Sequence, residues 1–272
     1  MIIDGHAHAF GDFAKTSKLI PLMDTLGVDK VVLCPGGSNN TDFEFKLPKL
    51  AQAKSVYNHY FHILGNVIYL RQFLKKMDEI NNKYVFSIVK EAATRLLQYF
   101  WVNPNNPDLL TILEENYKKM SFAGIKLHQC LNKFSNKDES MKIISQFAEE
   151  KELPIFIHLY NFREIARFIK LVKEYPKTNY TIAHLMGLEK IAQKGDSLKN
   201  IYFDISPYYI ISEKRIKFAL RKFGEDKILL GTDSPLGEKN LERNIEKIRN
   251  MDLTNKQKNG ILGENLENLL GL

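Results

Sequence analysis

Eight short, almost continuously apolar runs recur along the chain, each separated from the next by a longer stretch. They fall at 1–8, 30–34, 96–102, 122–128, 153–159, 179–184, 200–205 and 227–232, and they are rich in Ile, Val, Phe and Tyr. Strands covered on both faces by helices read this way, because neither face meets water. Helical periodicity fills the gaps. Ile165, Phe168, Ile169 and Val172 recur at i, i+3, i+4 and i+7 within 161–174, and Met141, Ile144, Phe147 and Ala148 form a similar face within 138–151. Asp138 and Asn161 stand where N-caps belong, and Pro107 suits the first turn of the following helix. Similar patterns cover 16–26, 108–120, 213–223 and 239–250, and a last helix is expected to begin near Gly263.

Strand and helix alternating eight times predict a (β/α)8 TIM barrel, read as a single domain over 1–272. A doubly wound open sheet lacks support, since no Gly-x-Gly-x-x-Gly follows any predicted strand. Residues 40–95 are too long for one helix, and are read as an enlarged helical insertion after strand 2, the place for a lid or for a contact in a homo-oligomer.

Lys and Arg exceed Asp and Glu by 39 to 32, for a net charge of +7. The charges are interleaved rather than blocked, so solvated helix faces explain them better than a nucleic-acid surface. Cys34 and Cys130 are too few for a disulfide framework and fit a reducing compartment. The chain opens without a secretory pattern and holds no apolar run long enough for a bilayer, so a cytoplasmic protein is expected.

Five of the seven histidines, His6, His8, His128, His158 and His184, lie in or at the end of predicted strands. All strands of a parallel barrel end on one rim, where catalytic residues gather. Residues i and i+2 of a strand share a face, so His6 and His8 can reach one ion. Each imidazole alone is as readily a hydrogen-bonded core residue, and Asp233 alone a turn residue before Ser234-Pro235. Together, His6, His8 and His158 with Asp233 supply three nitrogens and one oxygen, a set suited to catalytic Zn2+ or another divalent transition metal, one ion rather than two. Lys126 and His128 share a face of strand 4. Three readings of Lys126 stay open: a carboxylated bridge to a second metal shared with His158 and His184, an ammonium binding a substrate carboxylate, or a side chain that reaches the rim. Arg163 is a candidate anion clamp, and Asp204, Tyr208 and Tyr209 candidate lining residues. His59 and His62 lack an acidic partner and read as surface or packing residues.

In order, the segments IIDGHAH, GIKLHQ, PIFIHLYN, TIAHLMG, IYFDIS and ILLGTDSP, closed by ILGENLENLL, resemble the amidohydrolase superfamily, in the amidohydrolase-related branch that includes the aminocarboxymuconate-semialdehyde decarboxylase-like enzymes. The resemblance implies that His6, His8, His158 and Asp233 hold the metal, usually zinc, and that His184 is catalytic or a second-metal ligand. Gln129 replaces a frequent Pro, and Leu185-Met186-Gly187 replaces a Met-Gly-Gly type run. TatD-like nucleases share the early His-x-His and the late Asp but carry Glu where Lys126 stands. The expected function is metal-dependent hydrolysis of a small amide, ester or lactone, with Asp233 as base, His184 orienting or stabilising the oxyanion, and Lys126, His128, Arg163 and Tyr208 contacting substrate. The alternatives are a non-hydrolytic decarboxylase, a TatD-like nuclease, and a metal-free binding protein. The expected partner is a small anionic or carbonyl-containing molecule, with neither nucleic acid nor membrane.

Overall fold

The structure is a computed structural model and describes residues 1–36, 80–194, 198–237 and 239–272. Most of the 40–95 insertion, with His59 and His62, therefore lies outside the described residues.

All eight predicted strands form, as β1 (Ile3–Ala9), β2 (Lys30–Pro35), β3 (Leu96–Trp101), β4 (Gly124–His128), β5 (Ile155–His158), β6 (Tyr180–Ile182), β7 (Ile201–Asp204) and β8 (Ile228–Leu229). They make one parallel sheet in sequence order. The chain beyond β8 closes it onto β1: Gly5 N donates to Leu230 O at 2.9 Å, Asp233 N to His6 O at 2.7 Å, and His8 N to Ser234 O at 2.7 Å. The result is the expected (β/α)8 barrel.

Among the described residues the helices are α1 (Thr16–Leu26), α2 (Asn82–Glu91), α3 (Leu109–Met120), a short α4 (Gln129–Asn132), α5 (Glu139–Glu150), α6 (Phe162–Glu174), α7 (Leu188–Ala192), α8 (Glu213–Phe223), α9 (Asn240–Asn250), α10 (Asn255–Asn259) and α11 (Asn265–Leu270). The apolar faces read from the sequence are the buried ones: Ile165, Phe168, Ile169 and Val172 on α6, and Met141, Ile144, Phe147 and Ala148 on α5. No helix among the described residues is long and apolar enough to cross a membrane.

The expected helix ends are met in part. Asn161 caps α6, accepting from the N–H groups of Arg163 and Glu164. Asp138 holds the cap position of α5, but its carboxylate accepts instead from Ser135 N at 2.7 Å. Pro107 lies before α3, whose cap is Asp108. The C-terminal helical segment starts earlier than Gly263, at Asn255, because Thr254 and Gln257 form a capping box there; Gly263 falls in a π-helical turn that leads into α11.

Two layers of apolar side chains result. The larger lies between the strands and the surrounding helices. The smaller joins Ile3, Val32, Cys34, Tyr99, Phe156, Ala183 and Leu229 from the strands with Leu266 from α11, and fills the barrel beneath the rim. Gly5 keeps this plug in place, since a Cβ there would come within 2.7 Å of Leu266. Between Asp4 and Ala7 the register of β1 against β2 slips by one residue. Ile3 and Gly5 face the plug, and the slip re-aims the strand so that His6 and His8 also face inward, His8 opposite Cys34.

Because the Asn161 side chain satisfies two N–H groups that the helix itself cannot, Asn161→Ala is expected to cost about 1 kcal/mol. A urea titration reads this as a lower midpoint with unchanged slope; an unchanged midpoint contradicts the capping role.

Candidate metal centre

The rim of the barrel holds a cleft of about 520 Å3, counting solvent at its mouth. His6, His8, Lys126, His128, His158, His184 and Asp233 all line it, with Phe10, Trp101, Leu131 and Leu236 as apolar walls. The side chains come from both ends of the chain and from four strand ends between, as parallel strands ending on one rim require.

Asp233 lies against His6 and His8 at the rim. Its Oδ1 lies 3.1 Å from His8 Nε2 and 3.5 Å from His6 Nε2. His184 and Asp233 lie beyond their strands, both with left-handed backbone (φ 60° and 59°), which points these side chains back into the cleft at some conformational cost.

The far side of each ring is held. His8 Nδ1 donates to Pro35 O at 2.9 Å, and His184 Nδ1 donates to Ser206 O at 2.8 Å. A carbonyl only accepts, so both rings carry their proton on Nδ1. His6 Nδ1 lies 3.3 Å from Asp204 Oδ2 and 3.1 Å from Ser206 Oγ, which sets the same tautomer. Metal-binding histidines are oriented by such partners, which direct Nε2 at the ion. Lys126 Nζ, buried and 4.1 Å above the Phe156 ring, donates to His6 Nε2 at 2.9 Å, so an ion here would compete with this amine for one lone pair.

Burial, reinforced by Lys126, holds His6 well below the ordinary imidazole value, and burial does the same to His128 and His158. Neutral imidazoles are the form a metal needs. His8 is the exception. Burial would lower it, but Cys34 and Asp233 outweigh that and push it up to about 10. Burial alone would raise Asp233, yet His8 and the neighbouring cationic groups keep it below the ordinary carboxylate value. His8 thus carries a second proton, on Nε2 facing Asp233, and a divalent ion between these two groups would take that proton's place. The donor set fits such an ion.

His158 and His128 are register partners on β5 and β4, and their rings stack at 4.2 Å and 6°. Trp101 stacks on the other side of His128, at 5.7 Å. His128 Nδ1 is buried without a hydrogen-bond partner among the described residues. Cys130 Sγ is 3.9 Å from His158 Nδ1, and Cys34 Sγ 3.3 Å from His8 Nδ1.

Two expected substrate contacts lie elsewhere. Arg163 is exposed near the start of α6 and does not line the cleft. Tyr208 is packed beneath α9, where Lys247 lies 4.4 Å from its ring and donates to its carbonyl at 2.6 Å. The supporting groups Asp4, Ser206 and Thr232 were not read from the sequence. Asp4, with Thr232 Oγ1 donating to it at 2.6 Å, is pushed up to about 7 by burial. Hydroxyls and a mid-strand carboxylate have no spacing signature, so only the fold reveals them.

A family model for amidohydrolases matches residues 69–272. The chain belongs to the amidohydrolase family. Members of this family are enzymes, hydrolases or decarboxylases. No curated protein matches the chain. Among solved structures, 2,6-dihydroxybenzoate decarboxylase from Rhizobium is similar over 99% of this chain and 98% of its own, at 12% identity and a TM-score of 0.71. A 5-carboxyvanillate decarboxylase from Novosphingobium aromaticivorans DSM 12444, with bound manganese, is similar over 100% and 97%, at 13% identity and 0.66. A protein described as probable 2-pyrone-4,6-dicarboxylic acid hydrolase from Acinetobacter baumannii, with citric acid bound, is similar over 100% and 99%, at 15% identity and 0.68. At these identities the likeness establishes the shared barrel.

Gln129, immediately after His128, joins this amidohydrolase's β4 and β5 loops. Its Oε1 accepts from Tyr160 N at 3.0 Å, and its Nε2 donates to Glu164 at 3.0 Å. Burial alone would raise Glu164, but hydrogen bonds from Asn136, Arg167, Gln129 and Ser135 outweigh it and hold the carboxyl below its ordinary 4.5. A lowered folded value means stability that is present above the ordinary value and lost as pH falls through the lowered one. Glu164→Gln is therefore expected to be less stable than wild type near neutrality, with the gap closing as pH falls below the ordinary carboxylate value. Thermal midpoints across that range measure it, and a constant gap contradicts the assignment.

Proposed function

We propose that the chain is a metal-dependent hydrolase of a small amide, ester or lactone carrying an anionic group. The observation that carries this reading is the Asp233 carboxylate, held within reach of His6 Nε2 and His8 Nε2 while both rings are pinned from behind. His6, His8, His158 and Asp233 would hold one divalent ion, zinc or manganese. Such an ion supplies Lewis acidity and brings the pKa of water to about 7.

The chain's own groups do the rest. Asp233 remains ionised and takes the proton of the attacking water, then passes it to the leaving group. His184, protonated on Nδ1, offers a lone pair rather than a proton at Nε2. It orients the water by accepting from it, and in the neutral form has no hydrogen to give an oxyanion, so of the two expected roles orientation is the one proposed. Lys126 donates to the anionic group of the substrate from the cleft floor. Trp101, His128, Phe10 and Leu236 exclude water around it, which strengthens these interactions.

Decarboxylation of a small carboxylic acid is the second reading. It is favoured by the buried Lys126 amine at the floor, which suits a carboxylate, and by decarboxylases among the similar structures. Turnover of small lactones, esters and amides in water labelled with heavy oxygen separates the two. Hydrolysis places one labelled atom in the product acid, is lost on chelation and restored by zinc or manganese, and falls about 100- to 10,000-fold in Asp233→Asn. Carbon dioxide released from carboxylic acids with no label uptake overturns the hydrolase reading in favour of the second.

A further inference from the structure

We propose that Ser206 is a positioning residue whose hydroxyl ties His6 and His184 to the Asp204 carboxylate, so that the grip on the metal and the aim of His184 are set by one shared group. The inference rests on the proposed metal site for its functional consequence. Its structural content does not need that site.

A serine hydroxyl has one proton to donate and two lone pairs to accept with. All three are used. The proton goes to Asp204 Oδ2. One lone pair faces His6 Nδ1 at 3.1 Å, and the other faces His184 Nδ1 at 3.1 Å. Each ring proton is shared with a second acceptor, Asp204 Oδ2 at 3.3 Å for His6 and Ser206 O at 2.8 Å for His184.

Asp204 is itself fixed. Its Oδ1 accepts from Ser206 N at 3.0 Å, and its Oδ2 accepts from His184 N at 3.3 Å. Ser206 and Asp204 are buried. Gly231 closes the cage from the β8 side. A Cβ there would collide with Asp204 Oδ1 and come within 3.0 Å of His6 Cβ. The backbone of one strand end thus presses the carboxylate against the serine and ring of two others. The two imidazoles share one hydroxyl oxygen through its two lone pairs, so a turn of that hydroxyl disturbs both rings. Two rings on β1 and after β6, distant in sequence, are aimed together.

The test titrates metal-free protein with zinc against a chromophoric chelator, for wild type, Ser206→Ala, Ser206→Thr and Gly231→Ala. Ser206→Ala is expected to bind zinc about 10- to 100-fold more weakly. Its kcat should stay low at saturating zinc while KM changes little, since His184 is misaimed even when the ion is present. Ser206→Thr, which keeps the hydroxyl, should recover most of the affinity. Gly231→Ala, which removes no polar group, should reproduce the loss by displacing Asp204. Histidine ring nitrogen signals in the metal-free proteins give a second readout. Wild type should show both rings protonated on Nδ1, and Ser206→Ala should mix in the Nε2 form at His6, while His184 keeps the Ser206 carbonyl as acceptor. Zinc affinity within about twofold of wild type together with unchanged ring signals overturns the proposal. If wild type takes up no zinc, the metal reading fails, and the ring signals alone decide the role of Ser206.

Discussion

Asp233 and His8 face each other at 3.1 Å in a cleft where both are nearly out of water. A buried charge must be paired, and a buried pair holds only when its remaining hydrogen bonds are satisfied. Much of the rim follows from that demand. Pro35 O takes the Nδ1 proton of His8, the left-handed turn at Asp233 brings the carboxylate back over the barrel, and the hydrogen bond from Asp233 N to His6 O fixes that turn to β1. The same bond helps close the barrel, so closure of the sheet and placement of Asp233 rest on a shared contact.

The barrel was legible because its strands are buried on both faces. An apolar run such as that of β5 has no polar side to blur it, and the amphipathic helices between runs have only one buried face each. The histidines were legible for the converse reason, since a polar ring ending an apolar strand needs an explanation. What the sequence did not carry is direction in the loops. Tyr208 and Arg163 follow strand ends as His184 does, yet only His184 turns into the cleft, and that depends on backbone angles set by contacts with Ser206 and Asp204. The one-residue slip in β1 is hidden for a similar reason. It leaves the spacing of His6 and His8 intact while changing which residues before them share their face.

Lys126 shows how the interior economises on polar groups. A lysine this deep is tolerated because His6 accepts from it and the Phe156 ring lies beneath it. Burial lowers its affinity for a proton. The contact with His6 places this amine beside the imidazole proposed to hold the ion.

The most direct measurement is anomalous diffraction from crystals of the protein grown with zinc or manganese. The account predicts one strong peak at the rim, about 2.0–2.2 Å from His6 Nε2, His8 Nε2, a His158 nitrogen and an Asp233 oxygen, with Lys126 Nζ moved off His6. A rim without a peak, or a peak whose ligands exclude His6 and Asp233, would contradict it.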